Sequence, residues 1–257
     1  MPTVEHQKYL EVATRAAKAA GEILLNGMKK DMHIRFKGEA NPVTIVDEQA
    51  EEKIISIIKK AYPDHDFVAE ESQTEELGGD YVWIVDPLDG TTNYTHAYPL
   101  FCTSIALQIR GRVEVAVVFD PLHKELFHAV RGRGSYLNQK KIHVSNTKVL
   151  KQSLLGMGFY YGYKKDSLVY FDHLILKCQA LRRDGAAAID LCYMAMGRFD
   201  AFWEFGLSPW DHAAGSLIVE EAGGKMTDFQ GKRFSIYQKE TLATNPQLHK
   251  EILREFQ

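Results

Sequence analysis

Trp83-Ile84-Val85-Asp86-Pro87-Leu88-Asp89-Gly90-Thr91-Thr92-Asn93 is an apolar run that leads into two aspartates and then into a Gly-Thr-Thr turn. The residues from Tyr81 to Val85 are β-branched, aromatic or aliphatic, and a proline follows shortly after them, which predicts a short buried strand that stops there. The end of that strand would deliver Asp86 and Asp89 to the edge of a sheet, where α/β proteins commonly bind ligands.

The chemistry of this segment indicates metal-assisted work on a phosphate. Two carboxylates held close together repel each other unless a cation neutralises them. Their hard oxygen atoms select Mg²⁺, Mn²⁺ or Ca²⁺ over zinc or copper. The Gly90-Thr91-Thr92 turn offers backbone N–H groups and two hydroxyls, which suit an anion such as phosphate.

Three other interpretations of the segment exist, and the two functional ones among them are weaker. A strand that ends in an aspartate-rich turn needs no function, because Asp and Gly are common turn residues. An EF-hand would need acids at alternate positions and a closing glutamate, and neither is present. A haloacid-dehalogenase-type phosphatase spaces its acids as Asp-x-Asp, whereas two residues separate Asp86 from Asp89.

Composition places the chain among ordinary globular proteins. Its 257 residues are 45% hydrophobic and 25% charged, enough for one large domain or two close-packed halves. The net charge of −3 gives no basic footprint for nucleic acid. The three cysteines are isolated, and we find no signal peptide and no apolar run of membrane-spanning length. We therefore expect a cytoplasmic protein without a membrane partner.

Hydrophobic periodicity predicts alternating helices and strands. Helices are expected at about Thr3–Met32, Asp47–Ala61, Leu168–Leu181, Ala186–Met196 and from Asp211 to Ala222. Strands are expected at 67–69, 81–85, 103–109, 113–119, 126–130, 135–137, 153–158, 199–205, 225–228 and 241–244, the runs from 103 to 137 forming an antiparallel meander. Loops are expected at 37–42, 75–79 and 160–165, and His65 is expected on the surface of a turn.

Five acids stand at the ends of these predicted elements: Asp47, Glu70, Asp86, Asp89 and Asp211. Taken alone, each is more often structural than catalytic, and Asp47 would serve simply as an N-cap or first-turn acid. Taken together with the phosphate turn, they define a candidate site assembled from distant parts of the chain.

Three segments, Glu70-Glu71-Ser72, Trp83–Asn93 and Pro209–Gly215, resemble the inositol monophosphatase family. The Gly185–Ala188 helix start and the Asp200–Glu204 strand resemble it too, so the likeness covers nearly the whole chain in order. The resemblance implies an α/β (α+β) architecture, the layered αβαβα sugar-phosphatase fold.

The resemblance also implies how the chain is divided and assembled. Residues 1–145 would form the metal- and phosphate-binding half, and residues 146–257 the lid and substrate half, packed as one compact unit. Members of the family depend on Mg²⁺, are often inhibited by lithium and are usually homodimers.

By residue-by-residue match, the resemblance implies a metal-ligand set. Glu70, Asp86 and the Leu88 carbonyl would hold a first Mg²⁺, and Glu70 would touch a third, looser ion. Asp86, Asp89 and Asp211 would hold a second Mg²⁺. The phosphate would bridge the metals.

The expected catalytic groups are Glu70, Thr91 and Asp47. The phosphate would also accept hydrogen bonds from the N–H groups of Gly90 and Thr91. Glu70 and the Thr91 hydroxyl would take a proton from the attacking water, with Asp47 polarising Thr91. Attack on phosphorus would be in line, without a phospho-enzyme, and a water at Asp211 would protonate the leaving alkoxide.

The expected substrate contacts come from the second half of the chain. Glu204 would accept hydrogen bonds from two hydroxyls of a polyol, and Gly185 and Ala187 would lie against its ring. Ala186 stands where the family commonly has Ser or Thr, which weakens the case for strict inositol specificity. Arg183 and its neighbour Arg182 would either reach a second phosphate or remain solvated charges at a helix end.

The leading functional expectation is Mg²⁺-dependent hydrolysis of a myo-inositol monophosphate. Fructose-1,6-bisphosphatase or broader sugar-phosphate phosphatase activity is the enzymatic alternative, and a 3′-phosphoadenosine 5′-phosphate phosphatase is disfavoured because no insertion offers an adenine pocket. The alternative from another class is a binding protein of the same fold that acts through transcription machinery. Every acid the metal scheme requires is present, which argues against a catalytically dead scaffold.

Overall fold

Two β-sheets form the framework of the molecule, for which a computed structural model describes residues 4–28, 34–36, 42–72, 79–159 and 164–256. The strands are β1 (Ile34–Phe36), β2 (Pro42–Thr44), β3 (Asp66–Ala69), β4 (Tyr81–Asp89), β5 (Cys102–Ile109), β6 (Arg112–Asp120), β7 (Glu125–Val130), β8 (Ser135–Leu137), β9 (Lys140–Ile142), β10 (Leu154–Met157), β11 (Ala180–Arg182), β12 (Ala201–Phe205), β13 (Lys225–Thr227) and β14 (Glu240–Thr244). Strands β3 to β9 follow one another in a seven-stranded sheet, in which only β3 and β4 are parallel. The second sheet has the order β11-β10-β12-β14-β13. Strands β1 and β2 form a separate antiparallel pair.

Helices cover the sheets and fill the space between them. They are α1 (Val4–Gly27), α2 (Ile45–Ala61), α3 (Thr91–Thr95), α4 (Lys164–Ile175), α5 (Ala187–Ala195), α6 (Pro209–Glu221) and α7 (His249–Glu255). A 3₁₀ turn spans Leu150–Gln152.

The layers follow from the alternation of side chains along the strands. On β4, Trp83 and Val85 pack with α1 and α2, whereas Val82 and Ile84 pack with α5 and α6 on the opposite face. Beyond α5 and α6 lies the second sheet, whose far face buries Trp203 against α4 and α7. The order helix, sheet, helix, sheet, helix confirms the predicted αβαβα fold.

Capping boxes fix the starts of the two helices that carry candidate acids. At the start of α2, Thr44 and Asp47 exchange side-chain and backbone hydrogen bonds, so this helix begins two residues before the predicted position. At the start of α6, Ser208 and Asp211 do the same. Pro209 was expected just outside this helix but is its first residue, where its missing N–H is harmless.

The sequence predicts that β4 stops before Pro87, and this prediction is wrong. The strand continues through Pro87 to Asp89 by means of a β-bulge, because Asp86 pairs with Ser104 and Asp89 with Cys102. Three steps along β4 thus match two steps along β5, and the extra residue leaves room for a proline that cannot donate a ladder hydrogen bond.

Two predicted helices have different ends in the structure. Helix α4 ends at Ile175, and the apolar residues near Leu181 belong instead to β11, where Leu181 pairs with Leu155. Periodicity did not separate a three-residue strand from the end of a helix. Helix α1 ends at Gly27, and residues 29–32 of its predicted span lie outside the described residues, as do 37–41, 75–78 and 160–163 of the predicted loops.

The prediction that His65 is a surface turn residue is wrong. Its ring stacks between those of Tyr62 and Tyr81, with ring centroids 4.8 and 4.6 Å away. The indole N–H of Trp83 donates a 3.0 Å hydrogen bond to His65 Nδ1. The residue therefore closes an aromatic cluster at the start of β4.

The seven-stranded sheet is drawn from residues 66–142 and the five-stranded sheet from residues 154–244. The functional division at residue 145 stays a prediction. Within the described ranges, no helix combines the length and the apolar character needed to cross a lipid bilayer.

Candidate active site

Neighbouring strands deliver three of the candidate acids to one edge of the seven-stranded sheet. Asp86 and Asp89 flank the bulge of β4 and are only 1% and 8% exposed. Glu70 directly follows β3, the parallel neighbour of β4, and its N–H donates to the Val85 carbonyl at 3.2 Å. The carboxyl ends of the two parallel strands thus place these side chains side by side.

Asp211 reaches the same place from α6, although more than a hundred residues separate it from β4. The Ser104 hydroxyl of β5 donates to the Trp210 carbonyl at 3.3 Å and so ties the start of α6 to the first sheet. Asp211 Oδ2 accepts a 2.7 Å hydrogen bond from the Ser208 N–H. The capping box therefore fixes the acid and the helix together.

Electrostatic coupling shows how closely these acids converge. Burial raises the pKa of Asp86 well above its ordinary value, and the charges of Glu70, Asp89 and Asp211 raise it further. A side-chain hydrogen bond with Glu70 is a further, smaller cause of the raised pKa of Asp86. Burial, followed by the charge of Glu70, raises the pKa of Asp211 as well.

Asp89 is held by the start of α5. Its oxygens accept hydrogen bonds from the N–H groups of Ala187 at 3.2 Å and Ala188 at 2.7 Å, and the Cys102 thiol lies 3.6 Å from Oδ2. Burial raises the pKa of Asp89 to about 6, against the opposing effect of these donors. This one side chain thereby links the first sheet to the central helices.

The donor set has the chemistry that Mg²⁺ requires, although the side chains do not surround a common point. Among the described residues, no group of three or more His, Cys, Asp or Glu side chains is arranged to hold a metal ion. The negative charges of the neighbouring acids add to burial in raising the pKa values of Asp86 and Asp211. A divalent cation would relieve that repulsion, and carboxylate oxygens are the ligands it prefers. The residues present therefore fit Mg²⁺, provided their side chains reorient.

Gly90 and Thr91 form the turn expected to receive a phosphate. Gly90 has φ +91° and precedes α3, and an added Cβ would lie 3.1 Å from the Leu100 carbonyl oxygen. Only glycine adopts this conformation without strain. The Thr91 hydroxyl lies 3.0 Å from the Leu88 carbonyl oxygen and 3.4 Å from Asp47 Oδ1. The predicted grouping of Asp47, Thr91 and Leu88 is therefore present.

Glu204 lies on β12, close enough to Asp89 for the two charges to interact. It is 9% exposed, and burial, together with the charge of Asp89, raises its pKa to about 8. A side chain at Gly158 would collide with the Glu204 carboxyl group, so the glycine makes room for it. Arg183 lowers the pKa of Glu204, and its guanidinium lies 4.6 Å from the centre of the Phe159 ring.

The remaining predicted substrate contacts lie around the start of α5 and the end of β11. Gly185 adopts φ +82° just before α5. Ala187 lies at the start of α5, where its N–H is already donated to Asp89. Arg182 and Arg183 are exposed at the end of β11 rather than at a helix end, and Arg182 donates to the Leu181 carbonyl at 3.0 Å.

Sequence reasoning missed several polar groups that organise this site. The Asn93 amide donates to the carbonyls of Leu100 and Asp184, both at 2.8 Å, and ties α3 to the segment before α5. Cys102 was expected in purely apolar surroundings but contacts Asp89. The role of Asn93 could have been suspected from the sequence, because this residue ends the Trp83–Asn93 segment. The contact of Cys102 with Asp89 could not, because it follows from the bulge in β4 alone.

Comparison with known sequences connects this geometry to a family. The profile described as the inositol monophosphatase family matches residues 5–257. The chain is 42% identical to the "Nus factor SuhB" of Pseudomonas aeruginosa, over 98% of this chain and 96% of that protein. It is 43% identical to the "Inositol-1-monophosphatase" of a Synechocystis species, over 96% of this chain and 88% of that protein.

Solved structures give the same assignment. The inositol monophosphatase of Anabaena is 40% identical with a TM-score of 0.88, over 97% of this chain and 95% of that chain. The extragenic suppressor protein SuhB of Bartonella henselae is 35% identical with a TM-score of 0.93, over 97% and 98% of the two chains. Because the family profile matches residues 5–257 and relatives of 35–43% identity share the sequence or the fold over nearly the whole chain, this chain belongs to the inositol monophosphatase family.

Proposed function

We propose that the chain is a Mg²⁺-dependent phosphoric monoester hydrolase that releases phosphate from myo-inositol monophosphate. The observation that carries the proposal is the convergence of Glu70, Asp86, Asp89 and Asp211 beside the Gly90–Thr91 turn. Four neighbouring acids, two of them buried, repel one another unless a cation is bound, and a phosphate ester supplies the anion that such a cation attracts. Membership of the family supports the same reaction class.

Each side chain has a part that its position supports. Glu70, Asp86, Asp89 and Asp211, with the Leu88 carbonyl, would hold Mg²⁺, which lowers the pKa of water and neutralises phosphate oxygens when bound. The N–H groups of Gly90 and Thr91 would orient the phosphate. Glu70 and the Thr91 hydroxyl would accept a proton from the attacking water, and Asp47, 3.4 Å from that hydroxyl, would polarise it.

The buried carboxyl group of Glu204 supports a polyol as the substrate. A carboxylate accepts hydrogen bonds from two neighbouring hydroxyls, and its interaction with Asp89 brings it close enough to the proposed metal ligands to orient a substrate ring. Gly185 and Ala187 would line the path between them. Arg183, held over the Phe159 ring, is the cation that would favour a second phosphate, as in fructose 1,6-bisphosphate.

The test is a panel of phosphate esters assayed with Mg²⁺ and again with a chelator. We expect turnover of myo-inositol 1-phosphate that disappears with the chelator and returns when Mg²⁺ is restored. If kcat/KM is higher for fructose 1,6-bisphosphate than for myo-inositol 1-phosphate, the proposed reaction stands but the proposed substrate is wrong. Metal-independent turnover, or none with any ester, would refute the proposal.

A second candidate function rests on relatives named "Nus factor SuhB", which are 42% identical to this chain over nearly its whole length. That name favours a role with transcription machinery. Such a role would depend on the surface of the folded protein and not on the acids of the proposed metal site. The variant Asp89→Asn separates the two functions, since its amide oxygen can still accept from the start of α5. If the cellular role survives in Asp89→Asn while hydrolysis is lost, the chain has a binding function besides catalysis; if both are lost, the binding role is not independent of the site.

The homodimer implied by the family resemblance, the cytoplasmic location expected from the sequence and the lithium sensitivity implied by the resemblance stay predictions. Sedimentation of the purified chain and assays with added lithium would test the first and the last of them directly.

A further inference from the structure

Glu51 is a buried glutamate on α2 whose carboxylate binds the turn that follows β3. It is 4% exposed, and its two oxygens accept hydrogen bonds from the N–H groups of Glu71 at 2.8 Å and Ser72 at 2.9 Å. These partners lie 20 and 21 residues further along the chain, so the contact is tertiary and not a helix cap. Two charge-assisted hydrogen bonds to consecutive amides fix both the position and the orientation of that backbone.

The backbone that Glu51 holds is the one that carries Glu70. On its other side, the Glu70 N–H donates to the Val85 carbonyl of β4 at 3.2 Å. The turn is therefore fixed from α2 and from β4 at once, and the Glu70 side chain reaches Asp86 from it.

Helix α2 also supports the opposite side of the site. Asp47 precedes Glu51 by four residues and so lies on the same helix face, where it contacts the Thr91 hydroxyl. One rigid helix thus sets the spacing between the turn of Glu70 and the turn of Thr91. A shift of either carboxylate would move one of these turns relative to the other.

We propose that Glu51 is a positioning residue, whose carboxylate holds the turn after β3 so that Glu70 can bind the metal ion. The inference rests on the proposed function, because the role of Glu70 as a metal ligand is part of that proposal. Partners that hold metal ligands in place commonly change metal affinity or activity by about 10- to 100-fold when they are removed. Sequence alone does not single out Glu51, because Glu48 and Glu52 stand beside it on the same helix.

The test compares Glu51→Gln with the matched control Glu52→Gln, an exposed glutamate on the same helix. Glutamine keeps one acceptor oxygen but turns an NH₂ group toward the second backbone N–H, so one of the two hydrogen bonds is lost. In the metal-free protein, the amides of Glu71 and Ser72 should exchange hydrogen faster. By titration calorimetry, Mg²⁺ should bind Glu51→Gln about tenfold more weakly, and kcat at saturating Mg²⁺ should stay within about threefold of the unmodified chain. Glu52→Gln should change none of these.

The outcomes separate this inference from the proposed function. A Glu51→Gln protein that is less stable but binds Mg²⁺ as tightly as the unmodified chain would make Glu51 merely structural and overturn the inference. If Glu51→Gln fails to fold, the same measurements are made on Glu51→Asp, which keeps the charge but has a shorter side chain. If the unmodified chain binds Mg²⁺ with the expected Glu51 effect but hydrolyses no ester, the proposed function fails alone. If it binds no Mg²⁺, both fail.

Discussion

Asp47 serves the fold and the site with different oxygen atoms. Its Oδ2 accepts hydrogen bonds from both the N–H and the hydroxyl of Thr44, at 2.8 and 2.6 Å, and so closes the capping box of α2. Its Oδ1 faces the Thr91 hydroxyl. The sequence predicts both positions, that of a first-turn acid and that of a partner of Thr91. A substitution at Asp47 would therefore mix stability with activity, and Thr91 is the sharper place to test the chemistry.

Replacing Thr91 by valine keeps the shape of the side chain but removes its hydroxyl. If that hydroxyl relays a proton, Thr91→Val should lower kcat by about 10²- to 10³-fold at saturating Mg²⁺, in the range of general acid–base catalysis. Thr91→Ser, which keeps the hydroxyl, should stay within about tenfold of the unmodified chain in the same steady-state assay. Equal activity of the valine and serine variants would exclude a role for the hydroxyl.

Replacing Glu204 by glutamine should separate substrate recognition from phosphate chemistry. Above pH 8 Glu204 is ionised, because its pKa is about 8, and a hydrogen bond to a charged group contributes about 1.5–3 kcal/mol. In that pH range Glu204→Gln should reduce kcat/KM for myo-inositol 1-phosphate by at least about tenfold. p-Nitrophenyl phosphate has no ring hydroxyls to contact, and its turnover should not change appreciably. A similar loss for both esters would place Glu204 in the general support of the site instead.

At the scale of elements, the close packing of α5 against α6 determines the position of Asp211 relative to Asp89. Gly215 of α6 faces Leu191 of α5, and an added Cβ would lie 2.6 Å from Leu191 Cδ1. Since α5 holds Asp89 and α6 carries Asp211, the spacing of these helices is also the spacing of two proposed metal ligands.

Gly215→Ala should therefore weaken Mg²⁺ binding as well as stability. Overpacking costs about 1–3 kcal/mol, and separating α6 from α5 should raise the Mg²⁺ concentration needed for half-maximal activity several-fold. Gly21→Ala is the matched control: Gly21 lies inside α1, and its added Cβ would lie 2.7 Å from the Phe119 ring, away from the acid cluster. We expect it to lower the melting temperature without changing the Mg²⁺ requirement. Equal Mg²⁺ requirements in both variants would contradict the argument.

The elements that the sequence predicts well are those with a strong local signal. Pro209 and Asp211 indicate where α6 starts, and alternating apolar residues indicate the meander of the first sheet. The bulge at Pro87 and the strand β11 were not predictable, because each depends on a neighbouring strand: β5 for the bulge and β10 for Leu181. For the same reason, the contact of Glu51 with the turn after β3 leaves no local mark in the sequence.

At the scale of the whole molecule, the acids are contributed by separate layers of the fold. Glu70, Asp86 and Asp89 belong to the first sheet, Asp211 to the central helix layer and Glu204 to the second sheet. The order of motifs predicts the family and hence this convergence, whereas the distances follow only from the packing of the layers. A cation bound among these residues would thus connect the layers and stabilise the whole fold.

Mg²⁺ should consequently raise the melting temperature of the chain. At about 100 times its dissociation constant, a ligand that binds only the folded state stabilises it by about 2.7 kcal/mol. For a protein of this size, that corresponds to a rise of roughly 5–10 °C in differential scanning calorimetry. A chelator should reverse the rise, and sodium chloride at equal ionic strength should not reproduce it. A melting temperature that does not respond to Mg²⁺ would contradict a site at this junction.

Anomalous diffraction from a crystal soaked in Mn²⁺ tests the central claim most directly, because Mn²⁺ accepts the same hard oxygen ligands as Mg²⁺ and can be located by its anomalous signal. We predict at least one Mn²⁺ peak in contact with Asp86 and shared with Glu70, Asp89 or Asp211. Crystals that diffract well and show Mn²⁺ only elsewhere on the protein, or none at all, would contradict the account.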